Sequence, residues 1–128
     1  MAYNKIIENL FIGDLEDAKK FRQNKPDGVI LCVLENRPPD EPFKAYHIPI
    51  ITDSDHVHTD QLDHIAYFLE TLLAKRCNVL VHCMAGMERS PLAVAYYIAY
   101  SKGIPIEEAY KIVINGRPQT MIRTQWLR

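Results

Sequence analysis

The feature that most limits how this chain can fold is a short apolar run, Asn78-Val79-Leu80-Val81-His82, that ends directly on Cys83, with Arg89 and then Pro91 close behind. Such a run reads as a strand buried on both faces. Pro91 is tolerated only in the first turn of a helix, so a helix opens near Arg89, runs to about Lys102 and stops at Gly103. Between strand and helix the chain has only residues 83–88, including Gly86, in which to turn. A turn of this kind faces successive backbone N–H groups inward, and with the positive end of the following helix they form a nest for a phosphate-sized dianion. Met84, Ala85, Gly86, Met87, Glu88 and Arg89 would line it, and the planar fork of Arg89 holds two phosphate oxygens at once. The same positive surroundings favour a thiolate at Cys83, setting a nucleophile beside the bound phosphate. A lone cysteine at a strand end is ordinarily a small buried residue. Here the H-C-x-x-G-x-x-R-S spacing, the strand before it and the helix after it coincide, which argues for chemistry.

The rest of the chain alternates strand and helix patterns. Leu10-Phe11-Ile12 reads as a short edge strand, residues 15–22 as a helix, and residues 24–28 as a turn into the buried strand at residues 29–34. Residues 35–44, with Pro38, Pro39 and Pro42, are a polar surface loop. Residues 46–51 form a strand that Pro49 confines to an edge, and residues 52–59 a polar loop. Leu62, Ile65, Phe68, Leu69, Leu72 and Leu73 recur at helical spacing, with Thr59 as expected N-cap and Lys75 and Arg76 at the negative end. A further helix spans residues 106–115, closed by Gly116, and residues 121–127 form a last one. The expectation is an α/β fold in a single domain over residues 1–128. Its central, mostly parallel sheet has about four to five strands and helices on both faces, and ligands bind beyond the strands' carboxyl ends.

Length and charge narrow the function classes. At 128 residues, 48% hydrophobic and 24% charged, the chain has material for one core and not two. A net charge of -1 leaves no cationic excess for a nucleic-acid backbone, so no nucleic-acid partner is expected. Residues 1–8 contain no apolar stretch of signal-peptide length and no run is long enough to span a bilayer, which points to a cytoplasmic protein without a membrane partner. Three cysteines, Cys32, Cys77 and Cys83, cannot all pair and stand at no metal-ligand spacing, as fits a reducing compartment. His56 and His58 lack clustered ligands beside them, so neither a metal nor a cofactor is assigned. The oligomeric state is not written in the sequence.

With these residues in view, the chain resembles the cysteine-based protein tyrosine phosphatases, and among them the small dual-specificity-like members. The likeness is carried by His82 to Pro91. Weaker support comes from Ile7-Glu8-Asn9-Leu10-Phe11-Ile12-Gly13, similar to the family's first strand, and Asp27-Gly28-Val29-Ile30, similar to its second. Glu107-Glu108-Ala109-Tyr110 through Arg117-Pro118 is similar to the penultimate helix and its exit. The resemblance implies a two-step hydrolysis of a phosphorylated protein or peptide, on phosphotyrosine and also on phosphoserine or phosphothreonine. The Cys83 thiolate attacks phosphorus, an aspartic acid protonates the leaving oxygen, and water hydrolyses the cysteinyl-phosphate. It further implies that Ser90 steadies the departing thiolate, with capping of the helix start as a compatible alternative. His82 would support the loop by hydrogen bonding, and Arg117 would tie the loop region to the core.

The same resemblance sets the proton donor just after the strand that precedes the long helix. Asp53 fits best and Asp55 second, whereas Asp60 is explained as first-turn helix charge. Glu88 stands where many members carry a small residue; it is expected to point out of the nest and pair with neighbouring charge, with proton donation in place of Asp53 as the lesser alternative. A phosphoinositide or other small phosphomonoester phosphatase is the alternative function, disfavoured for polyphosphorylated headgroups because Met84, Ala85, Met87 and Glu88 put no lysine in the loop. A phosphate-binding pseudophosphatase ranks lower because Cys83, Arg89 and Ser90 are all present. An arsenate reductase ranks lower because it would have to draw its relay thiols from Cys32 and Cys77. For Cys32 two readings are open, pairing with an oxidised Cys83 or simply filling a buried strand.

Overall fold

In a computed structural model that describes residues 3–38 and 44–127, five strands form one sheet in the order β1-β2-β7-β3-β4. These are β1 (Asn4–Ile7), β2 (Leu10–Gly13), β3 (Val29–Cys32), β4 (Tyr46–His47) and β7 (Val79–His82). Within this sheet the β1–β2 pairing is antiparallel and the other three are parallel. A separate two-stranded ribbon joins β5 (Thr52–Asp53) to β6 (His56–Val57). Among the described residues four helices complete the fold: α1 (Leu15–Asn24), α2 (Thr59–Ala74), α3 (Arg89–Lys102) and α4 (Ile106–Gly116), followed by a 3-10 turn at Thr124–Leu127.

Register explains why the central strands are apolar without alternation. Phe11, Leu80 and Ile30 stand side by side across β2, β7 and β3 and pack with Ala18 and Phe21 of α1 on one face. Ile12, Val81 and Leu31, one residue on, point to the other face, into the core shared with α2, α3 and α4. Leu62, Ile65 and Leu69 of α2, Leu92 and Ile98 of α3, and Tyr110 and Val113 of α4 fill that side. Helices therefore cover both faces, and β7, the central strand, delivers its carboxyl end between those of β2 and β3: His82 is level with Gly13 and Cys32.

Several elements differ from the sequence expectation. The strand at Leu10 is interior, because β1 pairs with it through a tight turn in which Asn9 adopts a left-handed conformation (φ 68°). The expected polar loop at residues 52–59 holds the β5–β6 hairpin, turned at Ser54 (φ 51°) and Asp55 (φ 66°), the paired left-handed residues of a two-residue hairpin loop. Thr59 is the first residue of α2, and His58 occupies the N-cap without a side-chain cap. The last expected helix is one 3-10 turn. Of the proline-rich loop, Pro39 and Pro42 lie outside the described residues. Gly103 (φ 65°) ends α3 as expected, its N–H donating to the Ala99 carbonyl. Among the described residues no helix is long and apolar enough to cross a membrane.

Cys32 shares the register position, and so the sheet face, of His82, whereas Cys83 is one residue on and packs in the opposite core with Leu31 and Val33. The pleat thus sends the two thiols to opposite faces, and a disulfide between them would require the backbone to move.

His82 itself is fully buried. Burial holds its imidazole below the ordinary histidine value of 6.5, opposed by a hydrogen bond from Nδ1 to the Cys83 carbonyl at 3.3 Å and by the Asp14 charge, and reinforced by His47. Between the depressed folded value and the unfolded one, the unfolded chain binds the extra proton. The stability contribution is therefore complete above about pH 6.5 and is lost as pH falls. Urea unfolding from pH 8 to pH 5 should show stability declining below pH 6.5 by at most about 1.4 kcal/mol per pH unit from this group. A His82→Gln variant should show a flatter profile, and an unchanged slope in that variant would assign the acid loss elsewhere.

Candidate active site

The segment from Cys83 to Glu88 turns beyond the carboxyl end of β7, and the carbonyls of Met84 to Glu88 are each drawn away from the mouth of the turn by a donor behind it. Leu15 N–H, at the start of α1, donates to the Met84 carbonyl at 3.3 Å. Arg117 donates through Nη2 to the Ala85 carbonyl at 3.4 Å and through Nε to the Gly86 carbonyl at 2.7 Å. Met121 N–H donates to the Met87 carbonyl at 2.7 Å, and Leu92 N–H, inside α3, to the Glu88 carbonyl at 3.1 Å. Across a trans peptide the N–H points opposite to the carbonyl. With no cis bond present among the described residues, the N–H groups of residues 85–89 consequently face the open side. That is an anion nest at a helix N-terminus.

Gly86 is the pivot of this turn. Its φ is 68°, and a Cβ there would lie 2.6 Å from Arg117 Nη2 and 2.7 Å from the Gly13 carbonyl oxygen. Only glycine supplies both the left-handed backbone and the close approach. Arg117, following α4, is almost wholly buried; besides the loop carbonyls it donates through Nη1 to Asn4 Oδ1 at 2.7 Å and to the Ile12 carbonyl at 3.4 Å. Burial pulls it down from its usual value, while the charges of Asp17, Asp14 and Cys83 oppose that. Asp17 and Asp14 form a reciprocal capping box at the start of α1, which fixes the Leu15 N–H against the loop. Burial raises the Asp17 carboxyl above its ordinary value; the hydrogen bond from the Asp14 backbone N–H opposes this, the Asp14 carboxyl adds to the rise, and Arg117 opposes it.

The cavity above the loop holds about 120 Å³, and the described residues lining it are Leu34, Cys83, Met84, Ala85, Met87, Glu88 and Arg89. Cys83 is buried at its floor, its Sγ 3.2 Å from Ser90 Oγ. The serine hydroxyl is therefore turned to the sulfur, and the N-cap of α3 is Glu88, without a side-chain cap bond. Arg89 opens α3 and is half-buried; its Nε donates to the Ile50 carbonyl at 3.1 Å, and its Nη2 lies 3.8 Å from Glu35 Oε1. The indole of Trp126 sits 5.9 Å from the Arg89 guanidinium carbon.

Asp53 and Asp55 are not among the lining residues. Asp53 is exposed on β5 opposite His56, and Asp55 is in the hairpin turn. The hairpin is anchored below them, where Thr52 N–H donates to Glu35 Oε1 at 3.1 Å, the same oxygen that approaches Arg89. Asp60 lies in the first turn of α2. Glu88 pairs with Arg123 at 2.7 Å. Glu35, Arg123 and Trp126 are neighbours of the site that the sequence reading did not single out. Glu35 was findable, because it follows the carboxyl end of buried β3, where ligands collect in such sheets. Arg123 and Trp126 carry no local signal, since only the return of the chain after α4 brings them to the loop. Among the described residues no group of three His, Cys, Asp or Glu side chains is placed to hold a metal ion.

Comparison with known proteins gives a family match to "Dual specificity phosphatase, catalytic domain" over residues 10–128. A curated relative, dual specificity protein phosphatase 9 of Homo sapiens, is 29% identical over 115 residues, covering 85% of this chain and 30% of that protein. Protein-tyrosine-phosphatase IBR5 of Arabidopsis thaliana is 36% identical over 66 residues, 52% of this chain and 26% of that one. The chain thus spans less than a third of these relatives. Among solved structures, human DUSP28 superposes with a TM-score of 0.74 at 22% identity, covering 93% of this chain and 83% of that one. DUSP15 does so with 0.78 at 22% identity, covering 93% and 78%. Likeness at that level shows a shared fold.

The position of Arg117 generates a stability prediction. Arg117→Met leaves the carbonyls of Ala85, Gly86 and Ile12 and the Asn4 side-chain oxygen without their donor, and at about 1–3 kcal/mol for each buried acceptor left unsatisfied it should cost about 3–5 kcal/mol in urea unfolding. Arg117→Lys should recover less than half of that loss, because one ammonium cannot reach the loop carbonyls and Asn4 together. A loss below about 1 kcal/mol in Arg117→Met would show that the loop is held by other means.

Proposed function

The chain belongs to the dual specificity phosphatase catalytic-domain family, and from that premise we propose that it is a protein phosphatase acting on phosphotyrosine, and on phosphoserine or phosphothreonine, through a cysteinyl-phosphate intermediate. The observation that carries this reading is the orientation of the loop: its carbonyls are engaged from behind by Leu15, Arg117, Met121 and Leu92, so its N–H groups face a cavity with the Cys83 sulfur at its floor.

In this mechanism the N–H groups of residues 85–89 and the Arg89 fork bind the three non-bridging oxygens and take up charge as it develops. Cys83 Sγ attacks phosphorus opposite the ester oxygen; the S–P bond forms as the P–O ester bond breaks, and the leaving oxygen takes a proton from Asp53. Asp53 then accepts a proton from the water that attacks phosphorus, the S–P bond breaks, and Ser90 Oγ–H donates to the released thiolate. The distance of 3.2 Å between Ser90 Oγ and Cys83 Sγ suits that task. Asp53 stands outside the cavity lining on an exposed hairpin, and movement of that hairpin over the bound substrate would carry it to the leaving oxygen. His82, buried and neutral beneath the loop, has a supporting role. The substrate is a phosphorylated protein or peptide, and three cysteines, which cannot all pair with one another, suit a reducing compartment, the cytoplasm.

Cys83→Ser should reduce phosphate release from a phosphotyrosine peptide to background. Asp53→Ala should lower kcat by about 10²–10⁴-fold with KM little changed. Full activity in Asp53→Ala together with a loss in Asp55→Ala would move the acid to Asp55, and retained turnover in Cys83→Ser would remove the mechanism.

A further inference from the structure

The cavity's described lining carries one guanidinium, Arg89, and one carboxylate, Glu88, and no lysine. A carboxylate at the mouth of an anion nest opposes binding unless its charge is answered. Arg123 answers it: its Nε donates to Glu88 Oε2 at 2.8 Å, and its Nη2 lies 2.7 Å from the same oxygen. Three contacts hold Arg123 in place. Its backbone N–H donates to the Tyr110 hydroxyl oxygen at 3.3 Å, its guanidinium lies 5.5 Å from the centre of the Trp126 ring, and the preceding Met121 N–H is bound to the loop carbonyl of Met87. The same indole flanks Arg89 at 5.9 Å.

Each member of the pair thus cancels the other at the rim. What remains for a ligand is the nest, Arg89 and exposed apolar side chains: Met84 in the loop, and Met121 and Ile122 on the segment bound to it. A rim of that kind accepts one phosphate on an apolar or aryl carrier. Among the described residues lining it, none is a free cation for a second phosphate nearby.

We propose that the Glu88–Arg123 pair is a specificity determinant that selects an isolated phosphomonoester over a substrate carrying a second phosphate beside the first. The inference rests on the phosphatase reading given above. Removing the carboxylate frees Arg123 as an extra cation at the rim; removing the guanidinium frees Glu88 as an anion there. The two changes push selectivity in opposite directions, and a brace without electrostatic influence would not do that.

The test is kcat/KM of the full chain on two peptides, one with a single phosphotyrosine and one with a second phosphate two residues away. Relative to the parent, Glu88→Gln should raise the ratio of doubly to singly phosphorylated substrate by about tenfold, and Arg123→Gln should lower it by a similar factor. The double variant should return to within about threefold of the parent. In Glu88→Gln the gain should collapse between 50 mM and 500 mM salt, roughly as the screening length shortens; this arm decides the matter alone if Arg123→Gln does not fold. Ratios that stay level, or that move the same way in both single variants, overturn the inference while leaving the phosphatase reading intact. A gain in Glu88→Gln that survives high salt overturns it equally. A parent inactive on both peptides removes the phosphatase reading and this inference with it.

Discussion

The buried guanidinium of Arg117 is the interaction on which the site depends. A loop that turns its N–H groups toward a ligand must dispose of its carbonyls, and a buried carbonyl without a donor costs about as much as a lost hydrogen bond. Arg117 takes two of them, while also reaching Asn4 on β1 and the Ile12 carbonyl on β2. One side chain from the far end of α4 thereby links the sheet edge to the loop. The charge this places inside the protein is answered by Asp14 and Asp17, whose capping box also presents the Leu15 N–H to the Met84 carbonyl. Helix start, sheet edge and loop thus form one polar unit beneath the nest.

Around that unit, charge is arranged in pairs. Arg89 is approached by Glu35, which also holds the backbone of the hairpin carrying Asp53, and Glu88 is matched by Arg123. Both arginines lie against Trp126. These groups are partly exposed, so each pair contributes little to stability; exposed ion pairs are typically worth about 0.2–1 kcal/mol. Their effect is on which anion the cavity accepts and on how the clamp is oriented before a ligand arrives.

Much of this was legible in the sequence where the signal is local. The apolar run ending at His82, the thiol of Cys83, the pivot at Gly86 and the helix opened by Arg89 and Pro91 lie within a few residues of one another, and each follows from turn, strand and helix chemistry. The long helix from about residue 60 followed from apolar spacing, and the helix over residues 106–115 was placed by its stop at Gly116. The interior position of β2 did not, because the pairing of β1 depends on a left-handed Asn9, and the run Asn4-Lys5-Ile6-Ile7 has a weak pattern of its own. The hairpin at residues 52–57 escaped because its strands are two residues long and its turn uses Ser54 and Asp55 without glycine. Glu88 was recognised as a departure, and its pairing with a neighbouring charge was expected. The identity of that partner depends on the path of the chain after α4, which no local pattern specifies.

The central claim is that residues 85–89 present their N–H groups, and not their carbonyls, to the space above Cys83. A crystal structure of the orthovanadate complex tests it most directly. The account predicts vanadium bonded to Cys83 Sγ, its equatorial oxygens within hydrogen-bond distance of those N–H groups, and a two-point contact from Arg89, with Arg117 still on the carbonyls of Ala85 and Gly86. Vanadate bound elsewhere, or a loop whose carbonyls face the anion site, would contradict it.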